Sequence, residues 1–375
     1  MPSKRTVSLT GRVTQFYLSA GLSAGLSAVL SGILAVLLCG CEEIKVEKRG
    51  VSPDGGATSI THPDERHLCG LVQLTSSGSN RQGSLDATNK RLVWLCRPDS
   101  SSYYQIQIKT VATEAVQVVA GGNLYRGVVF APDGRSLLYA EAPRRLDSDR
   151  ADRQSTEVLE QAAGRYTPPI TDPRDWQFDP GFDLVSNGCD GAHPLALTTR
   201  PGFDAEASFG WDGQEILFTS LVHHSSRLML MAAGGGDPVP VLSFPGYAGG
   251  ARLAPSGHRI VFHGARRDGR PGSAIYICNR DGSELQVVAD SGIYNLSPSW
   301  HPEENHIIYS SNGVEHDFEL FLVSTDGTSP ERLTHSPGFD AFPVFSRDGR
   351  LLIWTGQRGA AGTNRTQLFQ ATWIP

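Results

Sequence analysis

The sequence predicts an all-β chain folded as a six-bladed β-propeller of four-stranded antiparallel blades. Three observations predict it: one turn-centred motif occurs six times, its copies follow one period, and the last unit lacks a strand that the N-terminal side can supply. The chain has 375 residues, of which 39% are hydrophobic and 19% charged, so it can bury a large core.

The repeated motif consists of two apolar runs around a short polar turn. It is clearest in residues 129–139 and 344–354, and further copies occupy 208–218, 252–262, 299–309 and, in degraded form, 85–94. One turn position, which we call the anchor, is taken in chain order by Asn89, Gly134, Gly213, Gly257, Glu304 and Gly349. Successive anchors are 45, 79, 44, 47 and 45 residues apart, so one period recurs with a single enlarged interval.

Each copy has a local cause in turn chemistry and strand propensity. In the turn Pro-Asp-Gly, proline fixes φ, aspartate can bond the nearby backbone and glycine accepts positive φ, so the motif predicts a β-hairpin. A third strand follows in residues 104–108, 274–278 and 319–323, and a fourth in residues such as 331–334. Four strands in about 45 residues form one propeller blade, and a closed ring buries both faces of each blade.

The count of strands also predicts how the ring closes. The last unit has only three strands, at 343–345, 351–355 and 367–373. Residues 70–75 end in Gln-Leu-Thr, much as the fourth strand of the preceding unit ends in Arg-Leu-Thr at 332–334. We therefore expect this N-terminal strand to join the last blade, which removes an open sheet edge.

The first 40 residues are predicted to be a lipoprotein signal peptide. Three basic residues lie within the first 12, and residues 16–38 carry no charge. Residues 38–41, Leu-Cys-Gly-Cys, resemble the bacterial lipobox, in which the final cysteine, here Cys41, is lipidated. The alternative is an uncleaved transmembrane anchor, because about 20 apolar residues can span a bilayer. Both interpretations place the remainder outside the cytoplasm, and Glu42 after the lipidated cysteine favours the periplasmic side of the outer membrane.

The remainder is divided into a tether over residues 41–66 and the propeller over residues 67–375. The enlarged interval holds an insertion at about 143–180, between the second and third strands of blade two. This insertion is charged and then proline-rich, which is typical of a solvated loop. The alternative is an arm over one face of the propeller that contacts a partner.

Charge and cysteine content narrow the function classes. The chain holds 33 basic and 39 acidic residues, and three of the basic ones lie in the signal, so 30 basic against 39 acidic residues give the remainder a net charge of −9. An acidic body argues against nucleic-acid binding. No C-x-x-C pair occurs, and the one disulfide we consider joins Cys69 to Cys96, near the predicted closure. The alternative is that all four cysteines after Cys41 are buried thiols.

The repeat resembles that of the TolB family. The resemblance rests on residues 131–139, 339–354 and 322–334, where an Asp-Gly turn precedes Arg-Leu-Thr, and it extends over about residues 69–373. It implies a periplasmic six-bladed propeller, and TolB works in the Tol–Pal system, where it contacts a peptidoglycan-associated lipoprotein. TolB also has a separate α/β domain before its propeller. Residues 42–66 are too few for such a domain, so this chain would be a lipoprotein variant without it.

The candidate binding residues lie where the chain returns to the central channel. Residues 201–206 and 337–342 are near-copies, Pro-Gly-Phe-Asp-Ala followed by Glu or Phe. Carboxylates converging at one channel mouth could bind a cation or a basic peptide terminus. The alternative is that each aspartate bonds backbone amides and fixes its loop. The residues predicted to form this mouth, with their nearest polar and aromatic neighbours, are Asp204, Glu206, Asn295, Trp300, His301, His316 and Asp340.

Catalytic and cofactor motifs are not found in the sequence. The one G-x-S-x-G lies at residues 21–25, inside the signal, and neither a phosphate-binding loop nor H-E-x-x-H occurs. His301 and His306 flank a hairpin turn, which we interpret as solvated rather than metal-binding. We therefore expect no catalytic residue, no metal and no cofactor.

These observations predict an envelope lipoprotein that acts as a binding or scaffold propeller and not as an enzyme. Its partners would be an envelope protein or peptide and, through the lipid, the membrane, with no nucleic acid and with a monomeric chain. The alternative function is a carbohydrate-active or metal-dependent propeller of the uronate-lyase type, which needs a metal cluster in the channel.

Overall fold

The computed structural model describes residues 61–143, 181–200, 202–222, 225–314, 317–328, 330–359 and 365–375. Within these residues it contains 24 β-strands and no helix, arranged as six four-stranded antiparallel sheets. The predicted signal peptide, most of the tether and nearly all of the insertion lie outside the described residues. Among the described residues, none forms a helix long and apolar enough to cross a membrane.

The six sheets are the blades of the predicted propeller. The first strand, β1 (Leu68–Gln73), belongs to the last blade. Blade one consists of β2 (Ser79–Leu85), β3 (Arg91–Arg97), β4 (Gln105–Thr110) and β5 (Val116–Ala120). Blade two consists of β6 (Leu124–Phe130), β7 (Ser136–Ala142), β8 (Asp183–Gly188) and β9 (Leu195–Ala196). Blade three consists of β10 (Phe203–Phe209), β11 (Glu215–Val222), β12 (Ser225–Ala232) and β13 (Val239–Phe244). Blade four consists of β14 (Ala248–Leu253), β15 (Arg259–Ala265), β16 (Ser273–Asn279) and β17 (Gln286–Ala289). Blade five consists of β18 (Asn295–Trp300), β19 (His306–Val314), β20 (Asp317–Ser324) and β21 (Glu331–Arg332). Blade six consists of β22 (Asp340–Phe345), β23 (Leu351–Gly356), β24 (Gln367–Trp373) and, as its fourth strand, β1.

The ring closes as the strand count predicts. Strand β1 is the outermost strand of blade six and pairs antiparallel with β24, with Val72 opposite Gln370 and Gln73 opposite Phe369. The predicted fold class, including closure by an N-terminal strand, is confirmed. The strand begins two residues earlier than the sequence suggested.

All six hairpin turns need a residue with positive φ at the anchor position. The four anchor glycines have φ between 69° and 76°, as the turn chemistry predicts. Asn89 and Glu304 adopt φ of 58° and 59° at the same position, a conformation that is costly for a residue with a Cβ. Hydrogen bonds hold Glu304 there: its side chain accepts from the hydroxyl of Ser256 at 3.0 Å, and its N–H donates to the carbonyl of His301 at 2.9 Å.

One aromatic side chain per blade fills the core at the same distance from the anchor. These residues lie on the second strand of each blade, five residues after the anchor, and all are at most 2% exposed. They are Trp94, Tyr139, Phe218, Phe262, Tyr309 and Trp354. Because each lies in the middle of a sheet that packs against its neighbours, this set supplies a large part of the apolar area buried in the ring.

A β-bulge interrupts every innermost strand. The pairing register between the first and second strands shifts at the same point in all six blades. The residue with positive φ in each bulge is Gln82, Gly127, Glu206, Gly250, Ser297 or Phe342. Bulges bend and re-aim a strand, so these positions set which side chains face the channel.

Hydrogen bonds to neighbouring blades hold the bulges. The N–H of Gly127 donates to Gln82 Oε1 at 3.2 Å, and the N–H of Gly250 donates to Glu206 Oε2 at 2.6 Å. On the other side of the ring, the N–H of Phe342 donates to the hydroxyl of Ser310 at 3.0 Å. Each bond crosses from one blade to the next, so the strained backbone is fixed by ring assembly and not by the blade alone.

The residues before β1 fasten the closure from outside the sheet. Arg358 donates to both carboxylate oxygens of Glu65, at 2.6 and 2.7 Å, and to Asp340 Oδ2 at 2.8 Å. All three side chains are at most 2% exposed. Glu65 also accepts from the N–H of His335 at 3.0 Å, and His67 stacks on Trp373 at 4.9 Å. We call the group Glu65, Arg358 and Asp340 the closure latch.

The considered disulfide is not present. Cys69 lies in the outermost strand of blade six and Cys96 in the second strand of blade one, and no bond joins them. Cys96 is buried in the cluster that contains Trp94 and Leu368, where burial raises the pKa of its thiol to about 11. The pairing was wrong because closeness to the closure in sequence does not place two residues in neighbouring strands.

Candidate functional site

The channel has two ends that differ in how the blades reach them. The innermost strands begin at one end, which we call the strand-start end. They turn into the second strands at the other end, the hairpin end. The strand-start end carries the first residues of the innermost strands, and the hairpin end carries the turns 86–90, 131–135, 210–214, 254–258, 301–305 and 346–350.

The structure does not bring the seven predicted site residues together. Asp204, Asn295 and Asp340 occupy equivalent positions at the strand-start end. Trp300 is the last residue of the strand that Asn295 begins, so these two side chains belong to opposite ends of the channel. His301 follows Trp300 at the hairpin end, where it contacts Phe345 edge-on at 4.9 Å. His316 lies outside the described residues.

Asp340 is fully engaged by protein groups. Its carboxylate accepts from Arg358 and, at 2.9 Å, from Trp354 Nε1. Burial raises the pKa of Asp340 to about 6, although Arg358 opposes the shift. In blade one, the side-chain oxygen of Asn80 accepts a hydrogen bond from Trp94 Nε1 in the same way, at 2.8 Å. These contacts match the alternative in which the strand-start aspartate fixes local structure.

Asn295 and Asp204 are also buried among protein partners. Asn295 donates to the carbonyl of Ser273 at 2.8 Å, and its own N–H donates to the hydroxyl of Ser273 at 3.0 Å. Asp204 is 5% exposed, and burial raises its pKa while hydrogen bonds from Ser220 and Thr198 oppose the rise. The side chains of Asn295 and Asp340 therefore have few donors or acceptors left for a ligand.

Glu206 differs because it lies in the bulge and faces a second polar group. Its carboxylate accepts from the N–H of Gly250 and lies beside the hydroxyl of Tyr247. Burial, with Glu206 adding to it, raises the pKa of Tyr247 well above its usual value. The ring of His263 lies 5.7 Å from that of Tyr247, and burial lowers the pKa of this histidine. The cluster is polar, and the bond from the Gly250 N–H to Glu206 joins blades three and four, whereas His263 Nδ1 is buried without a hydrogen-bond partner among the described residues.

A buried acid that the motif search missed lies beside the closure latch. Glu319 is 1% exposed and accepts from Arg332 Nη2 and from the hydroxyl of Thr334, both at 2.5 Å. Burial and, after it, the charge of Asp340 raise the pKa of Glu319 to about 8. Its place in the middle of a third strand, Glu-Leu-Phe-Leu-Val, gave a sequence signal, because a carboxylate inside an apolar run needs a buried partner.

Glu319 makes stability fall as pH rises from about 4.5 to 8. An unfolded glutamate has a pKa of about 4.3, so in this window the folded protein keeps a proton that the unfolded chain has released. We expect the melting temperature to fall across the window and Glu319→Gln to flatten the fall, with the variant gaining most relative to the original chain near pH 8. Thermal melts at several pH values measure this, and Glu114→Gln on the exposed surface is the control. Parallel pH curves for all three proteins would contradict the prediction.

The hairpin end contains the cavity that the sequence analysis did not identify. It has a volume of about 160 Å³ and is lined by residues of all six blades. Its lining includes Phe130, Phe209, Trp211, Trp300 and Phe345, and the turn prolines Pro132 and Pro302. The described lining residues include two arginines and no histidine, cysteine, lysine or carboxylate. The cavity is therefore apolar with a positive charge, although the chain as a whole carries −6.

One contact crosses the opening of this cavity between opposite blades. The guanidinium of Arg347, in the turn of blade six, lies 4.6 Å from the ring centre of Trp211, in the turn of blade three. Arg347 Nη2 also donates to the carbonyl of Trp211 at 2.7 Å. The arginine is exposed, so this cation–π contact contributes about 0.5–1 kcal/mol and can be exchanged for contacts to a partner.

Comparison with known sequences shows partial relatives. No protein-family model matches the chain. The Protein TolB homolog of Chlorobium luteolum is 32% identical over 106 residues, covering 28% of this chain and 23% of its own. The Tol-Pal system protein TolB of Wolinella succinogenes is 28% identical over 171 residues, 44% of this chain and 39% of its own. Dipeptidyl-peptidase 5 of Porphyromonas endodontalis is 27% identical over 110 residues, 28% of this chain and 16% of its own. The chain thus spans well under half the length of each of these relatives.

Comparison with solved structures shows the same fold. TolB from Acinetobacter baumannii matches with a TM-score of 0.55 at 14% identity, covering 76% of this chain and 64% of its own. A putative TolB from Agrobacterium tumefaciens matches with a TM-score of 0.53 at 14% identity, covering 81% and 97%. An oligogalacturonate lyase in complex with manganese matches with a TM-score of 0.50, also at 14% identity, covering 81% and 80%. At these identities the likeness concerns the fold alone.

Proposed function

We propose that this TolB-like six-bladed β-propeller is a binding protein of the cell envelope that holds a protein or peptide partner at the hairpin end of its channel. The observation that carries the proposal is the cavity there, to which all six blades contribute and whose opening is crossed by Trp211 and Arg347. Tryptophan and arginine are the residues most enriched among those that dominate binding energy. A partly apolar concavity at one end of the channel is the usual place for a ligand.

The composition of the cavity supports binding over catalysis. A serine nucleophile needs an adjacent general base, and general acid–base catalysis needs a titratable side chain such as histidine, cysteine, lysine or a carboxylate within hydrogen-bond reach. None of these lines the cavity among the described residues, whose polar side chains are serine hydroxyls, two guanidiniums and indole groups. Such groups orient a ligand without supplying or removing a proton at neutral pH.

The proposed location follows from the N-terminal sequence and the relatives. The uncharged residues 16–38 and the lipobox-like end at Cys41 support export and lipid anchoring on the periplasmic side of the outer membrane. One partial relative is named as a protein of the Tol–Pal system, which supports an envelope protein as the partner. The Tol–Pal role itself is a proposal, because the match spans only 39% of that relative.

Capture from envelope extract with matched variants tests the function. The full chain, carrying an affinity tag and extracted in detergent, is compared with the Trp211→Ala/Arg347→Ala double variant and with Arg365→Ala, an exposed control in the loop before β24. We expect a partner that binds the original chain and the control equally and binds the double variant at least 10-fold less, a loss of about 1.4 kcal/mol or more. Equal capture by all three proteins, or no partner for the original chain, would refute the proposal. Mass spectrometry of the same preparation must find Cys41 acylated at the N-terminus if the anchor is correct.

A further inference from the structure

The hairpin-end cavity contains a ring of six equivalent positions around the channel axis. Each lies five residues before the anchor of its blade and pairs with the residue that lies four positions after that anchor. Arg252 thus pairs with Val261, and Ser299 pairs with Ile308. The ring consists of Ser84, Val129, Ser208, Arg252, Ser299 and Val344, and all six line the cavity. Five are small and uncharged, so Arg252 alone puts a charge into the ring.

Arg252 has no anionic partner among the described residues. Three other arginines do bind a carboxylate: Arg358 binds Glu65 and Asp340, Arg332 binds Glu319, and Arg266 binds Asp290 at 2.5 Å. Burial lowers the pKa of the Arg252 guanidinium, and no carboxylate of the described residues opposes this shift. Arg252 is half-buried, and a partly desolvated cation without a counter-charge costs some stability, which a bound anion would recover.

The contacts of Arg252 do not supply a structural reason. Trp300 Nε1 donates to the backbone carbonyl of Arg252 at 3.0 Å, and any residue at this position keeps that carbonyl. The five equivalent positions show that serine or valine suffices for the blade geometry. The guanidinium is therefore not required for packing in this ring.

Two hydroxyls of the ring add hydrogen-bond donors to the same cavity. Ser208 donates its hydroxyl to the carbonyl of Ala251 at 2.8 Å and is occupied. Ser84 makes only a long contact of 3.4 Å with the carbonyl of Leu85, and the hydroxyl of Ser299 makes no hydrogen bond with the described residues. One guanidinium with two available hydroxyl donors matches the acceptor oxygens of a carboxylate.

We propose that Arg252, with Ser84 and Ser299, binds a carboxylate that an extended peptide segment inserts into the hairpin-end cavity. This inference rests on the proposed binding function and names the chemistry that the site recognises. The cavity, with a volume of about 160 Å³, has room for a chain end or one acidic side chain. The apolar rim of Trp211, Phe209 and Phe345 would pack on the residues that precede the carboxylate.

The first test measures the stability of the unliganded protein. Replacing a half-buried cation that has no ion pair among the described residues with an apolar side chain of similar length should leave stability unchanged or raise it. We expect Arg252→Met to melt at the same temperature as the original chain or above it, whereas a structural arginine would give a lower melting temperature. A fall of several degrees in Arg252→Met, with Arg365→Met unchanged, would overturn the proposal.

The second test measures binding of small carboxylates. N-acetyldiglycine stands for a peptide C-terminus, the α-amide of N-acetylglutamate, whose side-chain carboxylate is free, for an acidic side chain, and glucuronate for a free sugar acid. Titrations followed by tryptophan fluorescence at constant ionic strength should show binding of at least one peptide-like probe. Arg252→Met should weaken that binding at least 10-fold, with Arg252→Lys weakening it less. Binding of glucuronate only, equal binding of the amidated N-acetyldiglycine, or no binding at all would overturn the proposal.

The failure of this inference can be told apart from the failure of the proposed function. If the envelope partner binds the original chain but is captured equally by Arg252→Met, the propeller is a binding protein and the carboxylate site is wrong. If no partner is captured while the carboxylate probes still depend on Arg252, the site exists and the envelope partner is wrong.

Discussion

Replacing Arg358 with alanine should lower the free energy of unfolding by about 3–5 kcal/mol. The guanidinium is 1% exposed and lies between the carboxylates of Glu65 and Asp340, so its removal leaves two buried acids without a counter-charge. Burial already raises the pKa of Asp340 to about 6 with Arg358 in place, and without it Asp340 would take up a proton at higher pH. The loss should therefore be largest at neutral pH and smaller near pH 5, where Asp340 can be neutral.

Denaturant titration of the full chain at pH 5 and pH 7.5 measures both parts of this prediction. Arg365→Ala is the matched control, because Arg365 pairs with Asp99 at 3.0 Å but both side chains are 55% exposed. An exposed pair contributes only about 0–1 kcal/mol, so the control should remain within that range. An Arg358→Ala variant as stable as the control at pH 7.5 would show that the closure latch does not hold the ring.

Deleting residues 61–76 should abolish cooperative folding of the propeller. The deletion removes β1 from blade six, the burial of Leu71 and Leu74, and Glu65 of the closure latch. Each buried leucine contributes about 1.5–3 kcal/mol, and the latch adds about 3–5. The sum is comparable to the whole stability of an ordinary protein, about 5–15 kcal/mol.

A permuted chain separates the loss of the strand from the loss of chain length. Residues 61–76 are moved behind Pro375 through a flexible glycine–serine linker, so that β1 follows β24 as a hairpin. The ends are close enough for this, because the N–H of Ile374 donates to the carbonyl of His67 at 3.0 Å. Circular dichroism melts should show a cooperative transition for the permuted chain and none for the deleted one. A deleted chain that melts like the original would refute closure by β1 as the source of stability.

The six-fold repeat of the fold could be predicted from the sequence because each blade carries the same local turn and strand pattern. The turn motif and the apolar strands around it repeat at one period, and the aromatic residues that end the motif, from Trp94 to Trp354, are the core residues of the blades. Asn89 and Glu304 kept their place in this alignment without glycine, and the structure gives both the positive φ of the anchor. Local turn chemistry and strand pattern are short-range properties, so a single sequence displays them.

The candidate site could be predicted only in part, because its composition depends on which end of the channel each residue occupies. Motif position alone grouped Asn295 with Trp300, which lie at opposite ends of one six-residue strand. The β-bulges, which re-aim the second half of each innermost strand, leave no regular signature, since Gly127 and Gly250 share the position with glutamine, glutamate, serine and phenylalanine. The contact between Arg347 and Trp211 joins residues 136 positions apart, and no local pattern predicts it.

The sequence by itself determined the strand composition of a blade, the number of blades and the strand that closes the ring. The repeat period, the turn residues and the strand count are local properties that can be counted along the chain. Only the tertiary structure decided which polar groups are occupied and which are available. It pairs Asp340 with Arg358 across the closure, and it gives Arg252 no anionic partner within the described part of the chain, in a cavity lined by all six blades. Burial and charge pairing depend on neighbours far apart in sequence, so they exist only once the ring has formed.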